Sequence, residues 1–315
     1  MLIDEVGLSQ AMPRSLRVEY AGALYHVINR GNYRRDVFET DGAAEAFVTV
    51  LTETAQRYGW KVYAYVVMRN HYHLAVETPQ PNLSDGMHWL QSTLAIRFNR
   101  LRAERGHLFQ GRYQALLIEN REILSHVVAY IHLNPVRAHC VAADQVASFR
   151  WSSLAGFVQG RRFKGLEADY WLGQHGWKDG PSDWKSYTDH LRGLAEDEAE
   201  QKRLGFEAMC KGWLLGTAGW KKATAKDQTH LKLTVGIDRV QARELKEARW
   251  ELRLNQLLQE HGARPVDEGR KNQKWKLDIA LQLRDQEGAS ATWLAQALHL
   301  GTPATARNYL SLHRR

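Results

Sequence analysis

The sequence predicts an α+β protein: four strands and two helices in the order β-α-β-β-α-β, followed by a mainly α-helical C-terminal domain. Three observations carry that expectation. Between residues 20 and 118, stretches rich in Val, Tyr and Ala alternate with stretches whose apolar residues recur at helical spacing. A further helical stretch follows the last strand directly. Beyond residue 184 only helical patterns remain, some of them with dense mixed charge. This order is the split βαβ, or ferredoxin-like, arrangement. Its antiparallel sheet carries helices on one face and leaves the other free to hold a site.

Residues 1–11 form an N-terminal extension ahead of Met12-Pro13-Arg14. The first strand lies in the later half of 20–29, and Arg30-Gly31-Asn32-Tyr33-Arg34-Arg35 is a polar turn with three arginines. Asp41 caps a helix running to about residue 58, with Phe47, Val50, Leu51 and Tyr58 inward, and Gly59 ends it. Residues 60–68 and 72–78 form a hairpin turning at Arg69-Asn70, closed by Pro79 and Pro81. A second helix spans about 83–105, with Met87, Leu90, Leu94, Phe98 and Leu101 at helical spacing, and 113–118 is the fourth strand. Asn120 caps a third helix from 121 to about 133, where Asn134-Pro135 stops it.

Residues 145–175 are short, turn-rich pieces that wrap the first domain, and 176–184 mark a boundary. The expected division is therefore 12–160 for the sheet domain, 161–184 for a linker or wrapping segment, and 185–315 for a helical domain. Within the last, residues 291–310 read as two short helices around Gly301, with Thr302 as a cap and Pro303 at the first helical position. That is helix-turn-helix geometry and puts Thr305, Arg307 and Asn308 on a recognition helix; an ordinary αα-hairpin has the same pattern.

The formal net charge of +8 leans towards an anionic polymer as partner. Residues 1–150 hold 16 Lys+Arg against 14 Asp+Glu, and only Lys61 among those cations is lysine. Arginine in that proportion suits bidentate phosphate or base contacts. Some of the 11 tryptophans and 12 tyrosines can stack on unpaired bases, although filling cores accounts for most of them. Two cysteines far apart, Cys140 and Cys210, point to a reducing cytoplasm, and no apolar run has the length of a membrane-spanning helix. The start of the chain has an acidic first turn and no apolar leader segment.

The hairpin's second strand opens with His71-Tyr72-His73. Residues i and i+2 of a strand share a face, so the two imidazoles stand side by side while Tyr72 and Leu74 turn towards a core. Two neutral imidazoles are half of a divalent-metal site. The third helix offers the rest: Tyr130 and Asn134, four residues apart, lie one above the other on one face. Crossing the free sheet face, that helix brings the Asn134 amide oxygen to a His71/His73/Asn134 site, with Tyr130 in reach of a metal-held phosphate. The parts suit in-line attack by the tyrosine and a covalent phosphotyrosine that conserves bond energy. Imidazole and amide ligands suit Mg or Mn, with zinc the rival; no cysteine lies near the pair. Arg30, Arg34, Arg35 and Arg112 suit phosphate contacts, and equally a solvated surface. His26 reads equally as a core or supporting histidine, Glu77 as a surface ion-pair partner, and His132 as pointing away from the site.

Several blocks together resemble one family. They are Tyr25-His26-Val27 with Asn29-Arg30-Gly31-Asn32, Met68 to Leu74, Phe109-Gln110-Gly111-Arg112-Tyr113, and Tyr130-Ile131-His132-Leu133-Asn134-Pro135-Val136-Arg137-Ala138, followed by Trp151-Ser152-Ser153. Residues 12–160 resemble the single-tyrosine HUH transposases of the IS200/IS605 type, and more closely their REP-associated tyrosine transposase branch. The resemblance implies that His71 and His73 bind Mg or Mn, that Tyr130 is the nucleophile, and that Asn134 is the third ligand. It implies an enzyme that nicks single-stranded DNA beside a hairpin through a 5′-phosphotyrosine and rejoins the strands. Repeated extragenic palindromes are the implied substrate, and a monomer or a homodimer the implied assembly. The C-terminal extension goes beyond the family pattern. The alternative is a DNA-binding regulator that keeps the fold without cleavage.

Overall fold

The computed structural model describes residues 18–228, 239–260 and 270–313; the expected extension at 1–11 lies outside them. The chain forms two compact units that divide between Thr217 and Ala218. The first is a mixed α+β domain of a sheet with flanking helices, and the region after it is mostly helical.

In the first unit, β1 (Ala23–Arg30), α1 (Asp41–Tyr58), β2 (Lys61–Val67), β3 (His71–Thr78), α2 (Leu83–Arg102) and β4 (Gln114–Ile118) follow in sequence. The sheet order is β2-β3-β1-β4, antiparallel at each step, and β5 (Leu214–Leu215) adds a parallel edge to β4. Each helix ends where local chemistry dictates. Thr40, rather than the expected Asp41, caps α1: its hydroxyl accepts the Ala43 N–H at 3.3 Å. Asp41 instead takes the first helical position and pairs with Arg150 at 3.1 Å. Gly59, at φ 69°, closes α1 in the left-handed region.

Strand alternation sorts β3 between two faces. Tyr72 is buried against Phe47 of α1 and Phe38, with ring centroids 4.5 and 6.4 Å away. The Gln91 amide of α2 donates to its hydroxyl at 3.2 Å. His73 turns to the opposite face, which α3 (Arg121–Arg137) covers. The Asn120 side chain caps α3 by accepting the Ile123 N–H at 3.0 Å, as its position suggests.

At its other end α3 differs from expectation, running through Pro135 to Arg137. A proline removes one N–H and crowds the turn before it, but the Ala138 N–H still reaches the Asn134 carbonyl at 2.9 Å and the Cys140 N–H reaches that of Pro135 at 2.8 Å. Asn134 therefore stays helical and keeps its place above Tyr130.

The division of the chain also falls later than residues 161–184. α4 (Ser153–Val158), α5 (Asp169–Leu172), α6 (Pro181–Glu196) and α7 (Glu198–Arg203) all belong with the sheet domain. An aromatic cluster explains it: Phe157 stacks on Trp184 at 4.8 Å, and Trp171 meets Tyr187 at 5.1 Å. His132 of α3 lies among them, bonded to the Tyr187 hydroxyl at 2.9 Å and to Ser153 Oγ at 2.8 Å. The end of this segment is stitched to the sheet, the Leu117 N–H donating to the Trp213 carbonyl at 2.8 Å.

The second unit holds α8 (Ala218–Asp227), α9 (Arg239–Glu260), α10 (Lys274–Glu287), α11 (Ala291–Ala297) and α12 (Pro303–His313). Leu257, Ile279, Leu283, Leu294, Leu298 and Leu310 are central to its core. Between α11 and α12 the chain turns through His299 at φ 53° and Gly301 at φ 97°, and Thr302 caps α12 through the Thr305 N–H at 3.1 Å. Among the described residues, no helix is long and apolar enough to cross a membrane.

Candidate active site

The sheet register decides what surrounds the histidine pair. β1 lies beside β3 with Ile28 opposite His73 and Arg30 opposite His71. The rings of His71 and His73 stand 5.2 Å apart at 85°. The Asn70 side-chain oxygen holds His71 Nδ1 at 2.8 Å, and His26 Nε2 of β1 lies 3.0 Å from His73 Nδ1. In both cases Nδ1 is engaged, which fixes each ring and leaves Nε2 for the site.

From the other side, α3 presents three side chains at i, i+4 and i+7. The Tyr130 ring lies 5.7 Å from that of His73. Asn134 Nδ2 lies 3.4 Å from His73 Nε2. The Arg137 guanidinium sits 5.1 Å from the centre of the Tyr130 ring. The Tyr130 hydroxyl contacts Cys210 Sγ at 3.1 Å, and Phe206 meets its ring edge-on at 5.4 Å. His71, His73, Tyr130 and Asn134 thus line one open cavity of about 520 Å³, with Arg30, Arg112, Arg137 and Cys210 on its walls.

Electrostatics follow from burial. His71 is pushed down to about 4 by burial, with the Arg30 cation adding to the effect. His73 is held well below its ordinary value by burial and then by its neighbours His26 and His71. Both are neutral imidazoles at neutral pH, the form that donates a lone pair to a metal. Burial, reinforced by Cys210, pushes the Tyr130 phenol up. At rest it is a neutral hydroxyl. Among the described residues no group of three or more His, Cys, Asp or Glu could hold a metal ion. Asn134 is one of the amide side chains that line this pocket, and it lies beside His73.

The other expected residues are dispersed. Arg35 is paired with Glu104 at 2.7 Å, and neither it nor Arg34 lines the cavity. The Arg34 carbonyl accepts from the Asn70 amide at 3.5 Å. Glu77 binds Lys61 at 3.0 Å and the Tyr63 hydroxyl. Thr305, Arg307 and Asn308 all lie on α12 of the second unit, with Arg307 and Asn308 exposed. Sequence reading missed Arg137 and Cys210. Arg137 shares the helical face of Tyr130 and Asn134, so its spacing was a usable signal. Cys210 gave none.

A family model described as Transposase IS200 like matches residues 19–134. The chain carries an IS200-like transposase domain. This domain is of the single-tyrosine HUH type, which nicks and rejoins DNA, and chemistry of this type is metal-dependent in general. The match takes in His26, His71, His73, Tyr130 and Asn134 and ends before Arg137 and Cys210. Two solved structures are similar to the chain. One is described as a REP associates tyrosine transposase bound to a REP hairpin; it is 20% identical over 50% of this chain and 88% of that one, with a TM-score of 0.40. The other is a candidate transposase from Deinococcus radiodurans R1, 22% identical over 41% of this chain and 92% of that one, with a TM-score of 0.28. No curated protein matches the chain.

Proposed function

We propose that the IS200-like domain cuts single-stranded DNA beside a hairpin, with Tyr130 as nucleophile, and can rejoin the strands. The observation that carries this reading is the meeting, within one chain, of the Tyr130 ring and His73 at 5.7 Å with Asn134 beside them. The Tyr130 oxygen attacks phosphorus in line and the bond to the 3′-oxygen breaks. The phenol loses its proton, the departing 3′-oxygen takes one up, and the 5′-phosphate stays on the tyrosine. Attack by a free 3′-OH reverses these steps and joins the strands.

His71 and His73, through their imidazole nitrogens, and Asn134, through its amide oxygen, would hold a divalent ion. The donor set fits Mg or Mn: neutral imidazoles, an amide and no thiolate among the three. Such an ion, when bound, supplies charge neutralisation at a phosphate oxygen. Arg30 and Arg112 on the cavity wall orient the phosphate backbone. Arg34 serves DNA further from the cut, whereas Arg35 is held by Glu104. The histidine pair, Tyr130 and Asn134 line one cavity within one chain, an arrangement that suits a monomer or a homodimer.

The strand order supports a ferredoxin-like sheet domain with α3 as its catalytic helix. The α11–α12 pair supports a helix-turn-helix in a C-terminal DNA-binding domain, with Thr305, Arg307 and Asn308 facing duplex. Palindromic repeat hairpins, with a single-stranded flank and a duplex stem, suit both parts.

The test is incubation with a labelled single-stranded hairpin and Mg or Mn. Wild type is expected to form a denaturation-resistant protein–DNA adduct, and Tyr130→Phe none. An adduct with Tyr130→Phe, or none from wild type on a panel of repeat hairpins, overturns the reading.

A further inference from the structure

β1 contributes a group to this pocket that is neither the nucleophile nor one of the three donors. His26 is fully buried, on the β1 face that also carries Ile28 and Arg30, and so next to His73 across the strand pair. Its Nε2 lies 3.0 Å from His73 Nδ1, with the ring centroids 5.2 Å apart. His26, His71 and His73 do not converge on one point: no group of three such side chains among the described residues could hold an ion. His26 therefore stands behind His73, away from the site it faces.

We propose that His26 is a positioning residue that sets the tautomer and orientation of His73, so that His73 offers an Nε2 lone pair to a divalent ion. The inference rests on the metal reading of the pocket. A proton in the His26–His73 bond can sit on either ring. On His26 Nε2, it leaves His73 with its own proton on Nε2 and no lone pair for the pocket. On His73 Nδ1, it frees Nε2. The metal reading requires the second arrangement, and in that tautomer the Asn134 amide nitrogen, 3.4 Å from His73 Nε2, is placed to donate to it. His26 is then the acceptor at Nε2 and carries its proton on Nδ1. That nitrogen is buried and makes no hydrogen bond among the described residues. An imidazole whose far nitrogen is held by a fixed partner is a better and better-aimed metal ligand. Loss of such partners costs about 10–100-fold in metal affinity.

Two measurements on the full chain test this. Calorimetric titration with Mn²⁺, without DNA, compares wild type, His71→Ala, His26→Leu and His26→Gln. Wild type binds, His71→Ala does not, His26→Leu binds about 10–100-fold more weakly, and His26→Gln, which keeps an acceptor oxygen, regains much of the loss. Failure of wild type to bind, or wild-type affinity in His71→Ala, overturns the metal reading itself. Wild-type affinity in His26→Leu, with His71→Ala defective, overturns the role of His26 alone. Should His26→Leu fail to fold, imidazole ¹⁵N spectra of the metal-free wild type decide. A His73 proton on Nδ1 upholds the proposal, and one on Nε2 overturns it.

Discussion

The hydroxyl of Tyr130 lies 3.1 Å from the thiol of Cys210, a residue eighty positions later in the chain. The segment that carries Cys210 is fixed to the sheet edge, where the Glu119 N–H donates to the Leu215 carbonyl at 2.9 Å. It lies beyond the matched family region yet forms part of the wall around Tyr130. With burial, the contact keeps the phenol neutral, and as the proposed nucleophile Tyr130 must lose that proton.

Removing the thiol is therefore expected to speed the reaction. A neutral hydrogen bond contributes about 0.5–1.5 kcal/mol net, so Cys210→Ala should raise the single-turnover rate of adduct formation roughly two- to tenfold. Alkylation by N-ethylmaleimide, which would crowd Tyr130, should block wild type and spare Cys210→Ala. Cys140, exposed and bonded only weakly to the Ala138 carbonyl, is the control: Cys140→Ala should stay sensitive. A slower Cys210→Ala would show that the thiol assists the attack.

Asn134 is the single non-histidine donor proposed for the ion, and its helical position survives Pro135. Asn134→Ala should weaken Mn²⁺ binding by at least the 10–100-fold typical of an outer-shell loss, measured by calorimetry with the thermal midpoint unchanged. Asn134→Asp, which keeps an oxygen, should still bind. Equal affinity in the alanine variant would remove Asn134 from the ligand set.

The aromatic cluster around His132 predicts where the sheet domain ends. Trp184 is buried against Phe157, and deleting so large a core side chain costs about 3–5 kcal/mol. Trp184→Ala should lower the thermal midpoint on the order of 10 °C. A fragment of residues 18–217 should melt cooperatively, whereas one of 18–160 should not, since it exposes His132 and Phe157. A cooperative 18–160 fragment would restore the earlier boundary.

What the sequence revealed tracks how local each signal was. His71-Tyr72-His73 was legible because strand alternation alone assigns Tyr72 to the core and the histidines to the other face. Tyr130 and Asn134 were legible from helical spacing, and Arg137 shared that spacing. His26 stayed ambiguous because its meaning depends on the register that sets Ile28 opposite His73, a tertiary fact. Cys210 could not be found, since nothing local ties it to Tyr130. Pro135 misled, because a proline in the last turn costs a helix one hydrogen bond without ending it. The run at 176–184 has the composition of a linker, but Trp171 before it, Trp184 at its end and Tyr187 after it pack together against α3.

The arginines separate by their partners, and salt dependence can sort them. Arg30 is on the cavity wall, whereas Arg35 is already paired with Glu104 at 2.7 Å. Each phosphate contact on a single strand releases counterions and contributes about 0.7 to the slope of log affinity against log salt. Arg30→Ala should lower that slope for single-stranded DNA by about this amount, and Arg35→Ala should leave it nearly unchanged. Arg307→Ala, on α12, should weaken binding to the duplex stem while leaving single-strand adduct formation intact. Fluorescence anisotropy between 50 and 300 mM salt, on single-stranded and hairpin probes, reads all three. Equal slopes for Arg30→Ala and wild type would take Arg30 off the DNA path, and loss of adduct formation in Arg307→Ala would couple α12 to the cut itself.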